Sequence, residues 1–142
     1  NVMVVNTRAS EAEINALLDY GRDFGIAFQI VDDVLDFTGE QTTVGKPVGS
    51  DLRRGMITLP TITYLEAHAD DGRLACALRG ECTPKQYDEL IAAIRDSNAI
   101  SRSLAEARAI TDSAKRALDV FPDGEFKTLL KDLADYNVKR EK

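Results

Sequence analysis

The sequence has a single histidine, His68, and only two cysteines, Cys76 and Cys82. That is too few for a zinc site, which needs three or four such ligands. The cysteines are expected to be reduced, structural and cytoplasmic, and His68 to lie at the surface of a helix. There is no basic tract, and a net charge of −6 argues against a nucleic-acid partner. No apolar run is long enough to span a bilayer, and no secretory signal pattern is visible. Strand-like alternation is nearly absent. At 44% hydrophobic residues the chain is not a disordered one. Its 142 residues suffice for one domain with a real core, expected as a single all-α domain over 1–142.

Helix signals punctuate the chain. Ser10 and Glu13 form a capping-box pattern that opens a long helix through about Phe37. A glycine-rich loop follows from Thr38 to Ser50. Ser50 or Asp51 can cap the next helix, which runs toward Ala69 and should kink or break at Pro60. A short helix is expected around Arg73–Leu78. Thr83-Pro84 opens another to about Asp96, Ser97 one to Val120, and Pro122 the last, ending near Asn137. The start, Asn1-Val2-Met3-Val4-Val5-Asn6, suits the buried end of a helix that begins upstream, so the chain is expected to be a piece of something longer.

Within the first helix lies Phe28-Gln29-Ile30-Val31-Asp32-Asp33-Val34-Leu35-Asp36, three carboxylates in an otherwise apolar segment. At about 100° per residue, Asp32 and Asp36 fall about 40° apart on one face. Gln29 and Gly25 share their stripe, with Asp33 on one flank and Phe28 on the other. A helix this apolar should be buried, its polar stripe facing a cavity. Acidic residues on helices are usually just a solvated face. Buried carboxylates, by contrast, cost several kcal/mol unless a cation meets them. Mg²⁺ is the natural candidate, because it takes oxygen ligands and bridges one or two carboxylates to phosphates.

A second cluster, Gly45-Lys46-Pro47-Val48-Gly49-Ser50-Asp51-Leu52, follows the helix. A short loop could fold Lys46 back over the stripe, where a diphosphate would need a positive charge. Lys46 could equally stay solvated, and the residues by themselves leave both open.

Taken together, Gly25-Ile26-Ala27-Phe28-Gln29-Ile30-Val31-Asp32-Asp33-Val34-Leu35-Asp36 and Gly45-Lys46-Pro47-x-Gly49-x-Asp51-Leu52-x-x-Gly55-x-x-Thr58-Leu59-Pro60 resemble the second aspartate-rich region of the trans-isoprenyl diphosphate synthases. Leu133-Ala134-Asp135-Tyr136 is similar to that family's closing helix. The resemblance implies a bundle of long helices around a deep cavity. Across it, two aspartate motifs hold Mg²⁺ against an allylic diphosphate, whose carbocation is attacked by isopentenyl diphosphate. It assigns Asp32, Asp33 and Asp36 to the catalytic motif, with Asp32 and Asp36 as the metal ligands. Gln29 matches a contact to the allylic substrate, Lys46 the lysine that binds the leaving diphosphate, and Phe28 a residue packing near isopentenyl diphosphate. Asp51 is a candidate partner of Lys46 or of a metal-bound water.

Three departures qualify the match. The family's first aspartate motif is absent, since Asp70-Asp71 is followed by Gly72-Arg73-Leu74. The upstream arginines and lysines that bind the substrates are absent too. Met56 stands where the family usually has a lysine, and Arg53 and Arg54 fall on other helix faces. The chain therefore carries half a site and is expected to be inactive by itself. It is expected to be a C-terminal fragment, a subunit of a homo- or hetero-oligomeric synthase, or a non-catalytic subunit that binds a full-length synthase. Each predicts an apolar surface that wants a partner.

Overall fold

The computed structural model describes residues 8–39 and 47–140. Seven α-helices are found there: α1 (Glu11–Thr38), α2 (Ser50–Arg53), α3 (Leu59–Ala67), α4 (Gly72–Arg79), α5 (Pro84–Asp96), α6 (Ala99–Ala117) and α7 (Glu125–Lys139). A single 3₁₀ turn, Leu118–Val120, ends α6. Among the described residues there is no strand, so the chain is all-α.

Local chemistry sets most boundaries. Ser10 Oγ accepts the Glu13 N–H at 3.2 Å, and a Glu13 carboxylate oxygen accepts the Ser10 N–H at 3.1 Å. This is the expected capping box of α1. Thr83 and Gln86 make the same reciprocal pair at the start of α5, with Pro84 in its first turn. The helix expected from Ser50 toward Ala69 does break. It ends at Arg53 and restarts as α3, with Pro60 in the first turn, where a missing N–H costs nothing. Neither Ser50 nor Asp51 caps α2, because the N-cap is Gly49. The last helix starts at Glu125, three residues later than Pro122 suggested, with Gly124 as N-cap.

The chain divides into two compact units. One takes the chain up to Gln29 together with Glu106–Arg140; the other takes Ile30–Ala105. The first has its core at Tyr20, Ala114, Leu118 and Ala134, with Leu17, Phe24, Phe121 and Leu130 packed against them. Tyr20 donates its hydroxyl to the Leu130 carbonyl at 2.7 Å, and burial pushes its phenol pKa up. Lys115 pairs with Asp135 at 2.9 Å. The second unit buries Phe37, Leu52, Tyr64, Leu74, Leu90, Ile91 and Ile94. Each such side chain contributes about 1.5–3 kcal/mol of burial energy.

Two expectations are corrected in the second unit. Cys76 and Cys82 are joined in a disulfide and are not free thiols. The reason lies in the end of α4. Gly80, at φ +70°, closes a Schellman turn in which Glu81 N–H reaches the Cys76 carbonyl at 2.9 Å. The chain doubles back and the two Cα atoms come within 5.0 Å, inside disulfide range. His68 is not a plain surface residue. It caps the C-terminus of α3, half-buried, with its ring stacked on Tyr64 at 4.1 Å.

Candidate active site

α1 carries five of the seven candidate residues. Along it, Phe28, Gln29 and Asp32 are exposed, while Asp33 and Asp36 are half-buried. The opposite face, Ala27, Ile30, Val31, Val34 and Phe37, is buried. This differs from the expected helix, buried all round with its polar stripe facing a cavity. The helix is not buried all round, and its polar stripe is a surface of this chain, since Gly25, Ile26 and Phe28 beside it are exposed as well. Among the described residues, Leu18, Ile26 and Phe28 are the exposed large apolar side chains of α1.

The structure brings Asp36 and Asp51 together. Asp36 Oδ2 accepts the backbone N–H of Asp51 at 3.1 Å, and the Asp36 carbonyl accepts the N–H of Gly49 at 2.8 Å. The chain thus returns from the glycine-rich loop and is tied to the last aspartate of the motif by two hydrogen bonds, one on its carboxylate and one on its backbone carbonyl. Asp51 enters this geometry through its amide. Lys46 lies outside the described residues.

Gly49 has a part that the sequence reading did not assign. It is buried, sits at φ +71°, and a Cβ built there would overlap the Ile91 side chain, 2.6 Å from Cγ1. Only glycine fits that return turn. The signal was present in the spacing of Gly45, Pro47 and Gly49, but the close approach of Ile91 is a tertiary fact. Met56 follows Gly55 and is exposed. Arg53 does not replace the expected lysine, because its guanidinium is engaged by Asp88 of α5 and by the Val48 carbonyl.

The donor set can be tested against a divalent ion. Asp32 and Asp36 sit one turn apart on a single helix, and every candidate ligand atom is a carboxylate oxygen. One carboxylate is held in orientation by a backbone amide. Oxygen ligands from one or two carboxylates, with waters and phosphates completing the shell, are what Mg²⁺ takes. In donor chemistry these residues fit that ion. Among the described residues, no group of three or more His, Cys, Asp or Glu side chains gathers as a self-sufficient cage.

Comparison with known proteins identifies the family. The polyprenyl synthetase family model matches residues 1–110. The chain is 39% identical over 133 residues to heptaprenyl diphosphate synthase component 2 of Geobacillus stearothermophilus, covering 94% of this chain and 41% of that protein. Among solved structures, heptaprenyl diphosphate synthase from Staphylococcus aureus superposes with a TM-score of 0.85 at 33% identity, covering 96% of this chain and 43% of that one. Geranylgeranyl pyrophosphate synthase from Corynebacterium glutamicum, complexed with isoprenyl diphosphate and magnesium, gives a TM-score of 0.76 at 28% identity, covering 94% and 39%. The chain spans about two fifths of the length of the relatives it matches. With its helical fold, its aspartate-bearing helix and these matches, the chain belongs to the polyprenyl synthetase family.

Proposed function

We propose that this chain forms part of a prenyltransferase that condenses an allylic diphosphate with isopentenyl diphosphate and releases diphosphate. It would supply the second metal-binding wall. The observation that carries this is the pairing of Asp32 and Asp36 on one face of α1, with Asp36 held by the Asp51 amide. Asp32 and Asp36 would hold Mg²⁺, with Asp33 beside them. When bound, the ion neutralises the diphosphate and acts as a Lewis acid on the leaving group. Gln29 would contact the allylic substrate, Phe28 would pack near isopentenyl diphosphate, and Lys46, three residues before Gly49, would bind the departing diphosphate. The allylic C–O bond breaks with its electron pair going to diphosphate. The double bond of isopentenyl diphosphate then attacks the cation and a proton is lost. Apolar walls would keep water from that cation.

A partner is part of the proposal. This sequence has no other D-D-x-x-D, and a clamped diphosphate needs ligands from both walls. On α7, Phe126, Leu129, Leu133 and Tyr136 recur every three or four residues and all are exposed. Such an unpartnered helical stripe supports docking by an apolar helical surface. The occupant would be the half of the synthase that carries the first aspartate motif, in the same polypeptide or in a second subunit of a homo- or hetero-oligomer.

A cytoplasmic setting completes the proposal. No helix among the described residues is long and apolar enough to cross a membrane. The Cys76–Cys82 bond gives that setting no support, because cytosolic thiols are kept reduced.

Reconstitution tests the function. The chain is mixed or fused with an N-terminal half from a family member that carries the first motif, and prenyl transfer is assayed with Mg²⁺. Product only in the combined sample is expected. No product from a folded, associated pair would sink the proposal.

A second possibility is a non-catalytic subunit that binds a full-length synthase. Met56 in place of the family's lysine favours it, and the Geobacillus relative is itself named as component 2 of its synthase. It predicts that Asp32→Ala and Asp36→Ala leave partner binding unchanged. A large loss of binding in either would count against it.

A further inference from the structure

Arg140 reaches back across 112 residues of sequence to α1. Its guanidinium carbon lies 3.8 Å from the centroid of the Phe28 ring. Its Nη2 donates to the Phe28 carbonyl at 2.6 Å, and its Nε donates to the Asn137 carbonyl at 3.2 Å. One turn earlier, Asn137 is buried and donates Nδ2 to the Phe24 carbonyl at 3.4 Å. All of these residues belong to the same compact unit. The end of α7 is therefore fastened to α1 at successive turns, by one buried amide and one cation.

The choice of carbonyl is informative. In an α-helix the carbonyl of residue i accepts the N–H of residue i+4. In α1 the Phe28 carbonyl is thus the partner of the Asp32 amide. A guanidinium on that oxygen anchors the Phe28 peptide in place and so steadies the turn that presents Asp32. The stacked face of the guanidinium also restricts the exposed Phe28 ring to one side. Arginine suits both tasks, because its planar group stacks and donates at once; a lysine ammonium can donate but cannot stack in that way.

We propose that Arg140 is a positioning residue for the substrate face of α1. It holds the Phe28 ring and, through the Phe28 carbonyl, the turn leading into Asp32. Its importance for turnover rests on the prenyltransferase function proposed above, whereas the clamp itself does not.

Two measurements separate these. Amide hydrogen exchange on the 142-residue chain reads the clamp directly. In Arg140→Ala the Asp32 amide should exchange about tenfold faster, as loss of a charged hydrogen bond and a cation–π contact implies. The Ile94 amide in α5 should be unchanged. Arg140→Lys should recover part of the protection. A folded Arg140→Ala chain with Asp32 exchange within about twofold of wild type would overturn the proposal. Should Arg140→Ala fail to fold, Arg140→Lys is compared in wild-type and Phe28→Leu backgrounds. A stability loss in the first but not the second supports action through the ring, and equal losses overturn it.

In the reconstituted enzyme, Arg140→Ala should raise KM for isopentenyl diphosphate about tenfold through the Phe28 ring and lower kcat by a smaller factor through the Asp32 turn, with part of the loss recovered by Arg140→Lys. Equal falls in kcat and kcat/KM would overturn the substrate-positioning role. If the wild-type reconstitution gives no product, the prenyltransferase function falls, and hydrogen exchange still decides the clamp.

Discussion

Asp36 holds the turn that follows its own helix, accepting the N–H of Asp51 on Oδ2 at 3.1 Å and the N–H of Gly49 on its carbonyl at 2.8 Å. The side chain therefore has a structural task separable from the metal binding proposed for it. Asp36→Asn keeps an acceptor for the Asp51 amide and removes the charge. Asp36→Ala leaves that half-buried amide without its partner, at a cost of about 1–2 kcal/mol. Urea unfolding should place Asn within about 0.5 kcal/mol of wild type and Ala clearly below it. In the reconstituted enzyme both should lose prenyl transfer. An Asn variant as unstable as Ala would show that the hydrogen bond is not what matters.

Asp71 makes the chain's stability depend on acid. It caps α4 through the Arg73 amide at 3.0 Å, takes a two-pronged contact from the Arg73 guanidinium at 2.9 and 2.7 Å, and accepts the Tyr64 hydroxyl at 2.8 Å. Arg73 foremost holds the Asp71 carboxyl well below the usual carboxylate range, helped by Tyr64 and the Arg73 amide. A folded-state pKa below the unfolded one gives stability that is fully present above the unfolded pKa, about 3.9. It is lost as pH falls below that value toward the folded pKa. Asp71→Asn still caps the helix but cannot make the ion pair. The Tm difference between wild type and Asp71→Asn should be constant from pH 7 to 5 and begin to close below about pH 4. A gap that stays constant down to pH 3 would argue against the ion pair.

What could be read from the sequence divides by range. Thr83, Pro84 and Gln86 announce α5 because all the chemistry of its start lies within four residues, and Ser10 with Glu13 does the same for α1. The shared face of Asp32 and Asp36 follows from helical period alone. The exposure of that face does not, because burial depends on what packs against a helix from elsewhere in the fold, and among the described residues Ile26 and Phe28 of α1 stay exposed. The Asp36–Asp51 bond spans 15 residues and needs the return turn at Gly49. The Cys76–Cys82 bond needs the reversal at Gly80. Arg140 on Phe28 spans 112 residues, and although Phe28 lies in the motif, no local pattern marks Arg140.

The disulfide closes a short loop, six residues in sequence separation. In the chain-entropy account so small a loop is worth about 2 kcal/mol. Both ends of α4 have their own supports, Asp71 at the start and the Gly80 turn at the finish. Reduction should therefore lower unfolding stability by about 2 kcal/mol or less and leave far-UV circular dichroism at 25 °C unchanged. Loss of helix on adding reductant would mean that the crosslink, and not the capping, holds this segment.

Gly49 and Gly55 offer a matched pair that isolates packing from backbone strain. Both have positive φ, +71° and +81°, so alanine at either meets the same left-handed penalty of about 1 kcal/mol. Gly55 has open space around it, and its turn, with Met56 N–H on the Asp51 carbonyl at 2.9 Å, tolerates a methyl. At Gly49 the methyl would overlap Ile91, which is itself buried in the core beside Leu52 and Leu90. Relieving that overlap must move Ile91 or the turn, adding about 1–3 kcal/mol. Gly55→Ala should thus cost about 1 kcal/mol and Gly49→Ala about 2–4 kcal/mol in urea unfolding. Ile91→Ala removes the obstructing atoms, so Gly49→Ala should be less costly in that background than in the wild type, a coupling that independent sites do not show. Because the Gly49 amide is one of the two bonds to Asp36, a displaced turn should also weaken prenyl transfer in the reconstituted enzyme, while Gly55→Ala leaves it close to wild type. Equal costs at the two glycines, or no coupling to Ile91, would mean that the return turn is held by backbone geometry alone.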